Sequence, residues 1–233
     1  MRVRLLLPVM TYNTQLSPMI VKGLDYKDSL PALTTEQRDI LYGMLLGDAH
    51  APRRGRHARI EFLQGINQLA FVEHLFWVFR AWTWLPKPFI GQRRGTGYGF
   101  CRFETFRHKA FDSFRDAFYP ASKDPTRPPS KVIPDGVDQW FNARVLAYHI
   151  MCDGYLKGSN LILCTQGFSY DHIVRYADGI HAVLGIRPRP QGFRSRSSRG
   201  WVLLFPARAL PELQGLLRPY ILPTFYYKLG LLV

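Results

Sequence analysis

Apolar residues recur at two spacings in this chain, and the sequence of spacings occurs twice. Val72, Leu75, Phe76 and Phe79 fall at i, i+3, i+4 and i+7, as one face of a helix requires, and a hundred residues later Ile173, Val174, Ala177, Ile180 and Leu184 also keep to helical spacing. Before each helix lies a stretch that reads as a strand, a glycine-containing turn and a second strand ending at a Gln-Gly pair, Gln64-Gly65 and Gln166-Gly167. After each come two extended, arginine-bearing runs. These are 88–94 and 98–105, joined by Gly95-Thr96-Gly97, and 187–194 and 200–206, joined by Ser195 to Arg199. A final helix closes each unit, over 107–118 and 208–218.

Each unit opens with an apolar run that ends on one acid. The first is Leu41-Tyr42-Gly43-Met44-Leu45-Leu46-Gly47-Asp48-Ala49, and the second is Leu146-Ala147-Tyr148-His149-Ile150-Met151-Cys152-Asp153-Gly154. The expected organisation is therefore two αββαββα repeats, 34–119 and 138–233. A linker over 120–137 is marked by prolines 120, 125, 128, 129 and 134. Residues 1–33 stand outside the repeat as an extension. The fold class is α+β, with antiparallel sheets that hold one face on helices and leave the other open. Gly43 and Gly47, four apart, let the first motif helix approach a partner closely, which would bring both aspartates to the boundary between the halves. Tyr148 and Cys152 fit that role less neatly in the second copy.

Charge sharpens this picture. The 233 residues carry a net charge of +14, and 23 of the 31 basic residues are arginine. The guanidinium fork fits phosphate and the guanine edge, so the balance favours a nucleic-acid partner over simple solubilisation. Arg53, Arg54, Arg56, Arg59, Arg93, Arg94, Arg102, Lys157, Arg187, Arg189, Arg194, Arg196 and Arg199 lie on predicted strands or their turns and form the expected nucleic-acid surface. The cysteines Cys101, Cys152 and Cys164 lack metal-type spacing, which argues against a disulfide framework or a zinc site. No apolar run reaches the roughly 18–20 residues that cross a bilayer, and Pro8 breaks the N-terminal apolar patch, so a secretory signal is not expected.

Two acids on a basic protein suit a hard divalent cation, which takes oxygen ligands and drives phosphodiester chemistry. The alternative is a solvated helix-end aspartate. An acid there meets the negative end of the helix dipole, and such a placement occurring twice is better explained by a cation.

With these residues in place, the chain resembles the LAGLIDADG homing endonucleases of the monomeric, two-repeat type. The two nonapeptides carry the likeness, with Tyr148 at the third position as in one subgroup. Further matches are Thr165-Gln166-Gly167-Phe168-Ser169, Lys131-Val132-Ile133-Pro134, and Tyr220-Ile221-Leu222-Pro223 followed by Tyr227-Lys228-Leu229. The resemblance spans roughly 34–230. It implies a saddle of two sheets over the DNA major groove, a central pair of helices, and cleavage of both strands to staggered ends.

By position, Asp48 and Asp153 would hold Mg²⁺, with Mn²⁺ or Ca²⁺ standing in for binding. Ala49 and Cys152 are counted with them in the metal site, although Ala49 replaces the usual glycine and Cys152 stands where a small residue or an acid is usual. Lys131 and Lys228 would act beside the scissile phosphate, and Gln64 and Gln166 would order water. Solvated lysines and ordinary strand-end turns are the plainer readings of those four. His149, Tyr148, Trp77, Trp82, Trp84 and Trp140 read as packing or linker anchors. The implied activity is a site-specific double-strand DNA endonuclease promoting intron mobility, made locally in a mitochondrion or chloroplast. An RNA-binding intron maturase on the same fold is the alternative, and a basic ribonucleoprotein component is a third.

Overall fold

The first half runs α1 (Leu24–Asp28), α2 (Thr35–Leu46), β1 (Glu61–Gly65), α3 (Leu69–Val78), β2 (Phe89–Gln92), β3 (Gly99–Glu104) and α4 (Asp112–Phe118). The second runs α5 (Val137–Trp140), α6 (Ala143–Asp153), β4 (Gly154–Lys157), β5 (Asn160–Cys164), α7 (Tyr170–Leu184), β6 (Arg189–Arg194), β7 (Arg199–Phe205) and α8 (Leu210–Leu217), closed by a 3₁₀ segment, Pro223–Leu229. This computed structural model describes residues 24–121, 126, 129–195 and 199–231.

The motif helices start where their side chains dictate. Thr34 Oγ1 accepts from Gln37 N and Gln37 Oε1 accepts from Thr34 N, both at 3.1 Å, so two orphan amides at the head of α2 are satisfied reciprocally. Asn142 caps α6 by accepting from Val145 N at 3.1 Å. The two helices then pack side by side. A Cβ placed on Gly43 would lie 2.6 Å from both Tyr148 Cβ and Val145 O, and one on Gly47 would lie 2.6 Å from Cys152 Cβ. Glycine is what permits the approach. Tyr148 and Cys152 are the side chains that fill the space, so the second copy's poorer match is complementary to the first copy's glycines.

All strand pairs are antiparallel. The second sheet has the order β4-β5-β7-β6, with Leu161 opposite Phe205 and Leu163 opposite Leu203 facing the helices. The first has three strands, β1-β3-β2, with Phe62 opposite Phe103 and their rings 4.6 Å apart. Its expected opening strand does not form a ladder. Over 50–58 only the isolated bridges His50–Glu61 and Arg53–Ala58 appear. Pro52 has no amide to donate there, and Arg53 turns instead to Asp116, at 2.8 Å.

One core runs through both halves and the helix pair. Of the tryptophans read as anchors, Trp82 is buried and Trp140 stacks on Tyr42, ring centroids 4.7 Å apart, tying α5 to α2. Trp77 and Trp84 do not enter the core and are 55% and 42% exposed. Among the described residues no helix is long and apolar enough to cross a membrane. Of the extension, only 24–33 is described, and Tyr26 Oη donates to Ala81 O at 3.1 Å. Most of the proline-rich linker segment 122–128, including Pro125 and Pro128, lies outside the described residues.

Candidate active site

Helices α2 and α6 end at the same place, and their acids open into one recess of about 230 Å³. Leu46, Gly47, Asp48, Lys131, Asp153, Cys164, Thr165, Gln166, Gly167 and Phe168 line it. Asp48 follows the C-terminal glycine of α2 and is exposed, while Asp153 is the last residue of α6 and is partly buried. Burial and the neighbouring Asp48 push the Asp153 carboxyl up to about 7, against the pull of Lys228 and Lys131. At neutral pH the pair thus carries less than its full charge of two.

The lysines do not point their charge at these acids. Lys131 Nζ donates to Gly47 O (2.7 Å) and Ala49 O (3.0 Å). Lys228 Nζ donates to Ile150 O (3.2 Å), Met151 O (2.6 Å) and Cys152 O (3.1 Å). Each therefore closes the C-terminal end of one motif helix, where the last carbonyls lack intrahelical partners (Ile150 O alone also accepts from Gly154 N) and the dipole favours a cation. Burial holds both ammonium groups below the usual lysine range, with Asp153 and Asp48 drawing them back up.

The two glutamines differ. Gln64 Nε2 donates to Asp48 Oδ2 at 2.8 Å. Gln166 lines the recess beside Cys164 and Thr165, and among the described residues its side chain makes no bond to Asp153 like that of Gln64 to Asp48. Ala49 is buried and offers its carbonyl, already taken by Lys131. Cys152 packs its sulfur on Met44 Sδ at 3.6 Å, and burial raises its thiol well above the usual range, so it stays neutral.

His149 is fully buried one turn before Asp153, with Nε2 3.8 Å from Asp153 Oδ2 and Nδ1 3.0 Å from Tyr176 Oη. Burial and Lys131 hold it down to about 3, so it packs as a neutral ring. Cys164, Thr165 and Phe168 also reach the recess and were not singled out for it. The available signal was their place around Gln166-Gly167, Cys164 at the end of β5, Thr165 just before the pair and Phe168 just after it.

The arginine surface divides into engaged and open members. Arg53 pairs with Asp116 and Asp112, Arg59 with Glu61 (2.5 Å) and Glu104 (3.0 Å), and Arg187 with Asp178 (3.2 Å). Arg54 and Arg56 are exposed in the 50–58 segment that forms no ladder, and Arg93, Arg94, Lys157, Arg189, Arg194 and Arg199 are exposed on strands or their turns. Arg102 is exposed as well, with its guanidinium 5.4 Å from the Phe89 ring across the β2–β3 pair. Arg196 lies outside the described residues. On the open face of the second sheet, Tyr155, Ile162, Leu204 and Arg189 form one transverse row.

Comparison with known proteins agrees with this arrangement. The chain is 27% identical over 217 residues to the "Probable intron-encoded endonuclease 1" of Wickerhamomyces canadensis, covering 88% of each. It is 27% identical over 214 residues to the "Cytochrome b mRNA maturase bI2" of Saccharomyces cerevisiae, covering 88% of this chain and about half, 50%, of that one. Among solved structures, the homing endonuclease I-WcaI bound to its DNA recognition sequence superposes with a TM-score of 0.76 at 26% identity, covering 90% of this chain and 92% of that one. I-DmoI in complex with DNA and Mn shares the fold, with a TM-score of 0.50 at 13% identity over 78% of this chain and 96% of that one. The family model described as the LAGLIDADG DNA endonuclease family matches residues 38–206. With paired motif helices, two antiparallel sheets and both acids in one recess, the chain belongs to the LAGLIDADG DNA endonuclease family.

Proposed function

We propose that this chain is a site-specific endonuclease that hydrolyses both strands of duplex DNA, using a divalent cation at a long asymmetric target, and so promotes intron mobility. The observation that carries this reading is the convergence of Asp48 and Asp153 on one recess at the ends of two helices. Unlike halves in one chain need no palindromic site, because symmetry of the site mirrors symmetry of the protein. We take 34–119 and 138–233 as the two repeats, 120–137 as the linker and 1–33 as an extension. Local synthesis in an organelle accords with the intron-encoded relatives.

The residues fit a hard cation. Among the described residues, no cluster of three or more His, Cys, Asp or Glu could hold a metal by itself. Mg²⁺ suits a site of this kind, since it commonly binds through one or two carboxylates and completes its shell with water and substrate phosphate. Asp48 and Asp153 would hold the ion. Cys152, neutral and packed on Met44, supplies no hard ligand from its side chain. When bound, a divalent ion stabilises charge on the phosphate and lowers the pKa of a coordinated water.

The chain's own part is positional. Gln64 fixes the rotamer of Asp48 through its amide, and Lys131 and Lys228 hold the two helix ends from which the acids project. Their charges lie close enough to the recess to draw on Asp153, so they also lower the cost of bringing a phosphate there. The exposed arginines supply affinity through phosphates and register through bases.

A maturase role is the second reading, favoured by the likeness to the yeast protein of that name. Cleavage of a randomised duplex library with Mg²⁺, followed by end sequencing, decides between them. Discrete cuts that vanish in Asp48→Asn and Asp153→Asn, with DNA binding retained, are expected. Tight metal-independent binding to structured RNA with no cut in any duplex would move the assignment to the maturase.

A further inference from the structure

Trp84 is a large apolar side chain that the core does not use. It sits in the loop between α3 and β2 and is 42% exposed. Its orientation is nevertheless fixed. The ring lies 4.4 Å from Phe106 and 5.4 Å from Tyr26, centroid to centroid. Tyr26 is in turn anchored by its hydrogen bond to Ala81 O and meets Phe106 edge-on. One side of the indole is therefore packed, and the rest is presented to solvent without the entropy cost of ordering it.

Beside this ring lies a groove of about 380 Å³, lined by Lys27, Arg59, Thr83, Leu85, Glu104 and Arg107 together with Trp84, Thr105 and Phe106. Three cations against one carboxylate leave it with a net charge of +2. Lys27 Nζ is 5.3 Å from the Phe106 ring, and Arg107 is exposed. Arg59 is committed to Glu61 and Glu104, so it contributes field rather than donors. The groove lies at the Glu61–Glu104 end of the first sheet, whereas Gln64, three residues along β1, marks the end nearer the recess.

A fixed aromatic plate flanked by cations is the arrangement that takes an unpaired base and its phosphates. A duplex keeps its bases stacked within the helix and has no ring face to offer such a plate, whereas a loop, bulge or single strand does. We propose that this groove binds an unpaired nucleotide of a single strand, the base stacking on Trp84 and the flanking phosphates meeting Lys27 and Arg107. This site is separate from the paired aspartates and does not depend on the cleavage reading.

The test is fluorescence anisotropy of labelled single-stranded RNA and DNA 10-mers of one sequence, titrated with the full chain without metal. Trp84→Ala, Trp84→Tyr and Arg107→Ala are compared, and a duplex of the same sequence is measured alongside. Trp84→Ala should weaken single-strand binding about 10-fold, the worth of one base–aromatic stack, and Trp84→Tyr should restore most of it. Arg107→Ala should reduce the slope of log affinity against log salt by about 0.7, the contribution of one phosphate contact on a single strand. Duplex binding should not change, which also reports an intact fold. RNA preferred over DNA would identify the natural strand as RNA, and equal binding would identify a generic single strand; either supports the site. Single-strand affinity unchanged in both Trp84→Ala and Arg107→Ala overturns it. So does a Trp84→Ala loss of equal size on the duplex, which would assign Trp84 to the duplex surface. Should Trp84→Ala not fold, Trp84→Tyr and the exposed Arg107→Ala decide: a wild-type salt slope in Arg107→Ala overturns the site.

Discussion

Gln64 donates its side-chain amide to Asp48 Oδ2 at 2.8 Å, a hydrogen bond that ties the end of β1 to the acid beyond α2. Among the described residues no such bond ties its counterpart Gln166 to Asp153, although Gln166 lines the same recess. The two halves of the recess are thus held unequally. A hydrogen bond to a charged group contributes about 1.5–3 kcal/mol, so Gln64→Ala should slow cleavage about 10-fold or more, and Gln166→Ala should slow it less. Supercoiled-plasmid assays check this through the nicked form, which should accumulate in Gln64→Ala. Equal effects of the two substitutions would remove the asymmetry.

Lys228 closes three carbonyls at the end of α6 while only 7% exposed, and Lys131 closes two near the end of α2. Replacing either with methionine keeps most of the bulk but strands the acceptors that have only the lysine, Met151 O and Cys152 O for Lys228 (Ile150 O keeps its bond from Gly154 N), and each buried unsatisfied group costs about 1–3 kcal/mol. Lys228→Met should therefore lower Tm more than Lys131→Met in thermal melts. A Lys228→Met protein that melts like the parent would leave the lysine a purely catalytic role.

The Asp153 carboxyl gives the metal-free protein a definite pH dependence. Its folded pKa of about 7 lies above the unfolded value of about 4, so between these pH values the folded state binds the proton more tightly. Its contribution to stability is present below about pH 4 and is lost as pH rises through 7. Denaturant melts without metal should show this loss, Asp153→Asn should abolish it, and Mg²⁺ should reverse it by giving the charged form a partner. Calorimetry in buffers of different ionisation enthalpy should detect a proton released on Mg²⁺ binding near pH 7.

Gly43→Ala sets helix propensity against packing. Alanine gains about 1 kcal/mol within a helix, but the added Cβ would meet Tyr148 Cβ and the Val145 carbonyl at 2.6 Å. Overpacking of this kind costs about 1–3 kcal/mol, and a backbone oxygen cannot swing aside. A net loss of stability is expected, together with slower cleavage as the two acids are pushed apart. A stabilised Gly43→Ala protein would show that the helices need no such approach.

Arginines already paired within the protein should contribute less to DNA affinity than the open ones. Arg94→Ala should reduce the slope of log affinity against log salt by about 1. Arg53→Ala, which removes the pairs with Asp112 and Asp116, should leave that slope nearly unchanged and lower stability slightly. Equal slopes for these two variants would contradict the division.

Spacing alone made both repeats and both acids legible. A run ending in aspartate that recurs after 105 residues names its own helix, and Gly43 and Gly47 announce a close contact even without its partner. The missing first strand of the first sheet was less visible, because Pro52 and the Arg53 pairing act against an alternation that otherwise looks sound. The lysine and glutamine side chains were invisible in a stronger sense. Lys131 meets Gly47 across 84 residues of chain, and Lys228 meets Met151 across 77. Where such a side chain points is decided by tertiary packing. The exposure of Trp77 and Trp84, expected as packing or linker anchors, escapes the sequence for the same reason, since the residue type alone does not say which side of it is covered.

Crowding along the α2–α6 seam contrasts with the freedom of the arginine turns. At Gly43 and Gly47 even a methyl group collides, whereas a Cβ at Gly55, Gly95 or Gly97 would meet nothing within 4 Å, though each holds a positive φ. On the function proposed above, the turns that face DNA have open space for new side chains beside glycines whose positive φ must be kept, while the seam behind the paired acids admits no added atom. Lineages of such proteins can change address without relearning their chemistry, and a designer can graft new turns onto either sheet while leaving the seam alone.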